Sequence, residues 1–433
     1  MIVLPYLLAI FIGIILFVHW NGYSPLRDVF SLVVAGLLGA GFFVIVSFAD
    51  VFLFNGYHAF TFSCTVWLSV VIVGSYGLYK YRPILLQFPR FPKLRPFHFV
   101  IFFILITALI LMIAFARQSP YGDWNGWSFW NFRTKFIISS SDHWKEVYAH
   151  SLQAKHPWFL PYWLIFCYTM GGMDFNLLAL VNSIVSAFLI LVVVMVSVYE
   201  QTSNKYAVIG AGCWLATIPY FIYHSVGQSA DITMGLMIVV NMTWLLRYIK
   251  SPDRAKALSL GMLLGMMAFT KDEGSVSAFI MLLLMLFTRR KDVLGFFSSS
   301  LGTLIPWLIL LLMVKMWMWQ APSGVNQIQW SHWWEFDRWR QILNYIVEGY
   351  KVNLIFFITN ILVYFRFSKI RNESILIMIN FLLLFMAFFF LLYVLVRSDL
   401  SWRLYTTHHR LVFEIYGLGV ILLTSIFFNR WQH

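Results

Sequence analysis

One carboxylate, three tryptophans and two cations fall within a short stretch, Asp123-Trp124-Asn125-Gly126-Trp127-Ser128-Phe129-Trp130-Asn131-Phe132-Arg133-Thr134-Lys135. A carboxylate can take a proton from a hydroxyl. Guanidinium and ammonium groups hold phosphate oxygens, and flat indoles can cover the faces of sugars. Trp127 and Trp130 are three apart, so an α-helix would place them on one face, with Arg133 next on the same stripe. The same residues also suit an interfacial amphipathic helix, with its indoles at headgroup depth and its cations towards phosphates.

Three further groups have comparable chemistry. Asp231, in Ser229-Ala230-Asp231-Ile232, can orient a substrate or simply favour a helix N-terminus. In Thr270-Lys271-Asp272-Glu273-Gly274, Lys271 can hold a phosphate, and Glu273 can orient Lys271 or a sugar hydroxyl. A solvated hairpin turn is the plainer reading. In Thr406-Thr407-His408-His409-Arg410, Arg410 suits phosphate oxygens, or else pairs with Glu414 one turn on. His408 and His409 are adjacent and diverge on a helix, so no metal site is expected there. Lys155, ahead of Pro157 and Pro161, is another phosphate candidate. Trp330, Trp333, Trp334 and Trp339 mark a second aromatic loop, read first as an interfacial belt.

Membrane-spanning helices must position these groups. Hydrophobic residues make up 61% of the 433, charged ones 11%, and mean hydropathy is +0.77. Continuous apolar stretches such as Phe30–Ala49 and Phe99–Ala116 are long enough to cross a bilayer as helices. About thirteen spans are expected: 2–19, 30–48, 59–79, 98–116, 176–198, 206–223, 229–249, 257–270, 275–288, 294–317, 353–366, 374–396 and 411–428. The stretch 158–172, with two prolines among aromatics, reads as half-inserted or interfacial. Met1–Trp20 reads as a retained span, since it lacks a basic start and a cleavage site. The net charge of +13 gathers in alternate loops, which the positive-inside rule puts in the cytoplasm. Asp123, Asp231, Lys271, Glu273 and Arg410 then share the exterior face, with the three long loops at about 117–175, 318–352 and 397–410. Cys64, Cys167 and Cys213 have no metal-type spacing and read as buried small hydrophobes. No repeat is evident and span centres carry almost no charge, which argues against a transport pathway through the membrane.

The run from Trp124 to Phe136 resembles the opening of the first exterior loop in the GT-C superfamily of polyprenyl-phosphate-sugar-dependent glycosyltransferases. Among these it is most similar to the bacterial members that resemble dolichyl-phosphate-mannose protein mannosyltransferases. The tryptophans, Asn131, Arg133, Lys135 and Phe136 carry the likeness. The Asp231, Lys271–Glu273 and Arg410 motifs also resemble family motifs, in the same order. The family's acid falls at Asn125, whereas this chain has its acid at Asp123, and His409 replaces an acid before Arg410. The likeness covers roughly residues 98–425 and implies an all-α polytopic protein. Residues 1–97 would be extra N-terminal helices, 98–318 a GT-C-like core with exterior loop 117–175, and 319–433 a C-terminal group of helices. It implies sugar transfer from a polyprenyl-phosphate donor to a hydroxyl of a glycan, lipid or protein. Deprotonation of that hydroxyl by Asp123 would give inversion, and since a leaving group with a single phosphate needs no metal where cations suffice, no cofactor is expected, although some members of the family use a metal. Asp123 and Asp231 would be catalytic. Lys155, Lys271, Arg410 and Arg133 would hold the donor phosphate. Asn125, Trp127, Trp130, Glu273 and His409 would meet sugar or acceptor. A bacterial inner membrane, with the site on the periplasmic face, is the expected location. A flippase for lipid-linked glycan and a non-catalytic glycan-lipid-binding subunit are the rival readings.

Overall fold

The computed structural model describes residues 2–85, 95–140, 143–147, 157–172, 174–288, 291–295, 297–318, 330–349, 362, 372–395 and 400–429. Among these residues all regular structure is helical. Among the described residues nine helices are long and apolar enough to cross a membrane, and the chain is a polytopic membrane protein. The long helices near the N-terminus are α1 (Leu4–Asn21), α2 (Val29–Leu53), α3 (Ala59–Leu85) and α4 (Pro96–Ala116). The next segments are α5 (Phe132–Ser139), α6 (Phe159–Gly171) and α7 (Phe175–Thr202). Then come α8 (Lys205–Thr217), α9 (Pro219–Ser225), α10 (Ala230–Lys250), α11 (Arg254–Ala268) and α12 (Asp272–Phe287). The remainder are α13 (Lys291–Gly295), α14 (Phe297–Met318), α15 (Phe336–Gly349), α16 (Glu373–Leu395) and α17 (Leu400–Asn429). The span expected at 353–366 lies outside the described residues, apart from Leu362.

Helix α10 is the axis of the bundle, with 94% of its apolar window buried. It packs against α7, α11 and α17. Close approach to α17 depends on Gly417, where an added Cβ would come within 2.9 Å of Val239 Cγ2. Helices α3 and α4 are only 17% and 22% buried, so their apolar sides face outwards, as lipid contact requires. Cys167 is buried, but Cys64 and Cys213 are exposed on the outer surface, where lipid can accommodate a small apolar side chain. In place of a single span at 206–223 there are two helices, α8 and α9, bent by 66° at Ile218-Pro219. Proline has no N–H to continue the ladder and instead starts α9 at its first position.

Helix α6 fills the stretch read as half-inserted or interfacial. Its 13 residues are too short to cross a bilayer. Its aromatic residues are buried within the bundle: Phe166 stacks on Phe43 of α2 at 4.1 Å, and Tyr162 meets Phe48 at 5.2 Å. Pro161 lies in its first turn, where a missing donor costs nothing. These contacts join α2 to the rest of the bundle.

The two ends of α10 hold separate charge clusters. At one end Arg247 binds Glu200 at the end of α7 and Asp28 at the start of α2, the latter at 3.1 Å, and its guanidinium lies over Phe30. At the other end is Asp231. Sixteen residues of helix separate them, about 24 Å. The Asp231 end is the one that the basic loops predict to be exterior.

Candidate active site

The loop after α4 turns back onto the segment between α9 and α10. The Asp123 N–H donates to the Gly227 carbonyl at 3.0 Å. One oxygen of the Asp123 carboxylate accepts from the Gly126 N–H at 2.6 Å, the bond expected of a residue capping a helix start. The following residues, Gly126–Asn131, form a π-turn that runs into α5. A π-turn has more residues per turn than an α-helix. Trp127 and Trp130 therefore do not share a face as their spacing predicted. Trp127 is half exposed and packs edge-on to Trp124 at 4.7 Å, whereas Trp130 is buried. Arg133 is buried too, with its guanidinium over the Trp130 ring at 5.2 Å and the Trp158 ring at 4.9 Å. Together these residues brace the loop from beneath, while Trp124 and Trp127 present indoles outwards. Asn125 is half-buried and turns its backbone N–H towards the Asp123 carboxylate.

Three of the acids and two of the cations expected on one face, Asp123, Asp231, Glu273, Lys271 and Arg410, meet around the start of α10, where Glu414 of the last helix joins them. Asp231 is fully buried. Arg410 of α17 grips it with two bonds, Nε at 2.7 Å and a terminal nitrogen at 2.9 Å. Ser229, the N-cap of α10, donates its hydroxyl to Asp231 at 3.0 Å. The Lys271 ammonium completes the shell at 2.8 Å. Lys271 also contacts Glu414 at 2.5 Å and Glu273 at 3.2 Å. An ammonium has three donors, and three carboxylates take them all. Glu414 therefore does not pair with Arg410 along α17; each reaches across to another helix. Arg410 spends two of its five N–H donors on Asp231 and keeps 19% of its side chain exposed. It is the cation of this group best able to meet an anion.

Asp123 stands at the edge of this cluster. Its carboxyl pKa is pushed up to about 6, first by burial and then by the negative charge of Asp231, against the bond from Gly126 and the pull of Arg410. A carboxylate in that range is largely ionised at neutral pH yet basic enough to accept a proton. Asp231, saturated by Arg410, Lys271 and Ser229, is instead suited to fixing those partners.

The other expected residues are dispersed. His409 is half-buried, and its carbonyl accepts from the Tyr220 hydroxyl. His408 is buried beside Tyr345 and Tyr393. Lys155 lies outside the described residues. In the second aromatic loop the Trp339 N–H donates to the Trp333 carbonyl at 2.9 Å, and Arg338 donates to the Tyr393 carbonyl at the end of α16. Trp334 remains largely exposed, as a belt residue would. Sequence reasoning missed Gln228, which holds the Asp123 loop, and the reach of Glu414 to Lys271. The turn composition Gly227-Gln228-Ser229 ahead of an apolar helix was the available signal for the former.

The chain matches no family model, no curated protein and no solved structure.

Proposed function

We propose that the protein is a membrane glycosyltransferase that moves a sugar from a polyprenyl-phosphate donor to an acceptor hydroxyl at the exterior face. The observation that carries this reading is the placement of Asp123, a partly buried carboxylate with a raised pKa, beside an arginine that has donors to spare. In the proposed step Asp123 takes the proton of the acceptor hydroxyl. The acceptor oxygen forms a bond to the anomeric carbon from the side opposite the phosphate. The bond from that carbon to the phosphate oxygen breaks, and the lipid phosphate leaves with the electron pair, its charge met by Arg410. Configuration is inverted. Trp124 and Trp127 can flank the sugar. Lys271 and Asp231 would hold Arg410 in register and need not touch the donor. The basic loops at the other end of α10 support an exterior site under the positive-inside rule, and a bacterial inner membrane, with the site on its periplasmic face, is the setting proposed for it.

A binding or flipping role is the second reading, favoured by the saturation of Lys271. Lipid extraction of the purified protein followed by mass spectrometry tests the donor class. A co-purified polyprenyl phosphate or polyprenyl-phosphate sugar is expected. Recovery of bulk phospholipid alone would count against it.

A further inference from the structure

We infer that Gln228 is the positioning residue that fixes the Asp123 loop against the start of α10, and thereby sets the distance between the Asp123 carboxylate and the Asp231–Arg410 pair. Gln228 is buried and adopts a left-handed backbone conformation, with φ +56°, uncommon for a side chain of its kind. That conformation turns the side chain under the loop. Its amide nitrogen donates to the Pro120 carbonyl at 2.9 Å, on the near side of Asp123. Its amide oxygen accepts from the Asn131 side chain at 2.8 Å, at the far end of the π-turn. The Gln228 backbone N–H donates to the Ser183 hydroxyl of α7 at 3.3 Å. One side chain thus holds both ends of the segment carrying Asp123, and its backbone leads within three residues to Asp231. The fit leaves no slack: a Cβ added at Gly126 would come within 2.2 Å of the Gly227 carbonyl. Nothing else in this contact requires a glutamine, since an apolar residue would fill the same space.

The charged and titratable groups facing Asp123 are Tyr223 on α9, Asp231 on α10 and Arg410 on α17. A released loop would let Asp123 move towards water and away from Asp231, relieving both causes of its raised pKa.

The inference rests on the transferase reading only for what Asp123 does, so its test is made without substrate. The absorption of the protonated carboxyl is followed by infrared spectroscopy across pH in full-length detergent-solubilised protein, with Asp123→Asn as the subtraction. Wild type should titrate near 6. Gln228→Ala and Asn131→Ala should each lower the midpoint, Gln228→Ala by about one unit or more. The double variant should match Gln228→Ala alone, because both act through the same amide pair. An unchanged midpoint in folded Gln228→Ala, or shifts that add in the double variant, would overturn the inference. If Gln228→Ala does not fold, Asn131→Ala decides alone: a lowered midpoint supports the latch and an unchanged one refutes it. A failed sugar-transfer assay in wild type would count against the transferase and leave this titration standing.

Discussion

Asp123 does two jobs that substitution can separate. Asparagine keeps an oxygen for the Gly126 N–H, whereas alanine loses the cap as well, at a cost of about 1 kcal/mol. Asp123→Asn should therefore lower turnover by about 10²–10⁴-fold while leaving the fold intact. The pH profile of kcat/KM should rise through about 6 and level off above it, because the base works only when ionised. The same shift affects stability with the opposite sign to the usual surface aspartate. Its folded pKa lies above the ordinary 3.8, so ionising Asp123 costs the folded state free energy. That cost is absent below about 4 and complete above about 6. Thermal melts should show Asp123→Asn more stable than wild type at pH 8, with the difference closing as pH falls through that window. The types Asp, Lys and Arg were legible as chemistry from their motifs. Which cation keeps spare donors was not, because it depends on how many carboxylates each meets across several helices.

At the scale of elements, the site exists because three segments converge on the first turn of α10. The loop supplies Asp123, the turn between α11 and α12 supplies Lys271, and α17 supplies Arg410 and Glu414. Lys271→Met should leave Asp231, Glu273 and Glu414 without their shared cation, at a cost of about 3–5 kcal/mol, since breaking one partner of a buried ionic group strands the others. Chemical denaturation in detergent measures this, and a loss below 1 kcal/mol would mean that the cluster does not hold the helices together. Helix existence was readable from apolar length. The break at Pro219 was not, nor was the burial of α6, because both are decided by packing that hydropathy cannot resolve. The π-turn escaped for a similar reason. Spacing of three implies one face only if the helix is an α-helix, and docking of the loop on Gly227 imposes another pitch here.

The whole molecule is polarised along α10, with the Arg247 cluster at one end and the Asp231 cluster at the other. Alternating basic loops made that polarity legible, and the structure keeps the two sets of charges apart. With Cys64, Cys167 and Cys213 replaced by serine, an impermeant maleimide added to intact cells should label Ser119→Cys. It should label Arg254→Cys only after permeabilisation. The reverse pattern would move the site to the cytoplasmic face. The central claim concerns what happens at that face, and a reconstitution tests it most directly. Purified protein in liposomes is given a radiolabelled polyprenyl-phosphate sugar and an envelope extract as acceptor, and both the labelled product and the freed polyprenyl phosphate are measured. Wild type should release lipid phosphate in step with labelled product, and Asp123→Asn should do neither. Donor that stays covalently intact, or crosses the liposome membrane unchanged in both proteins, would contradict the account.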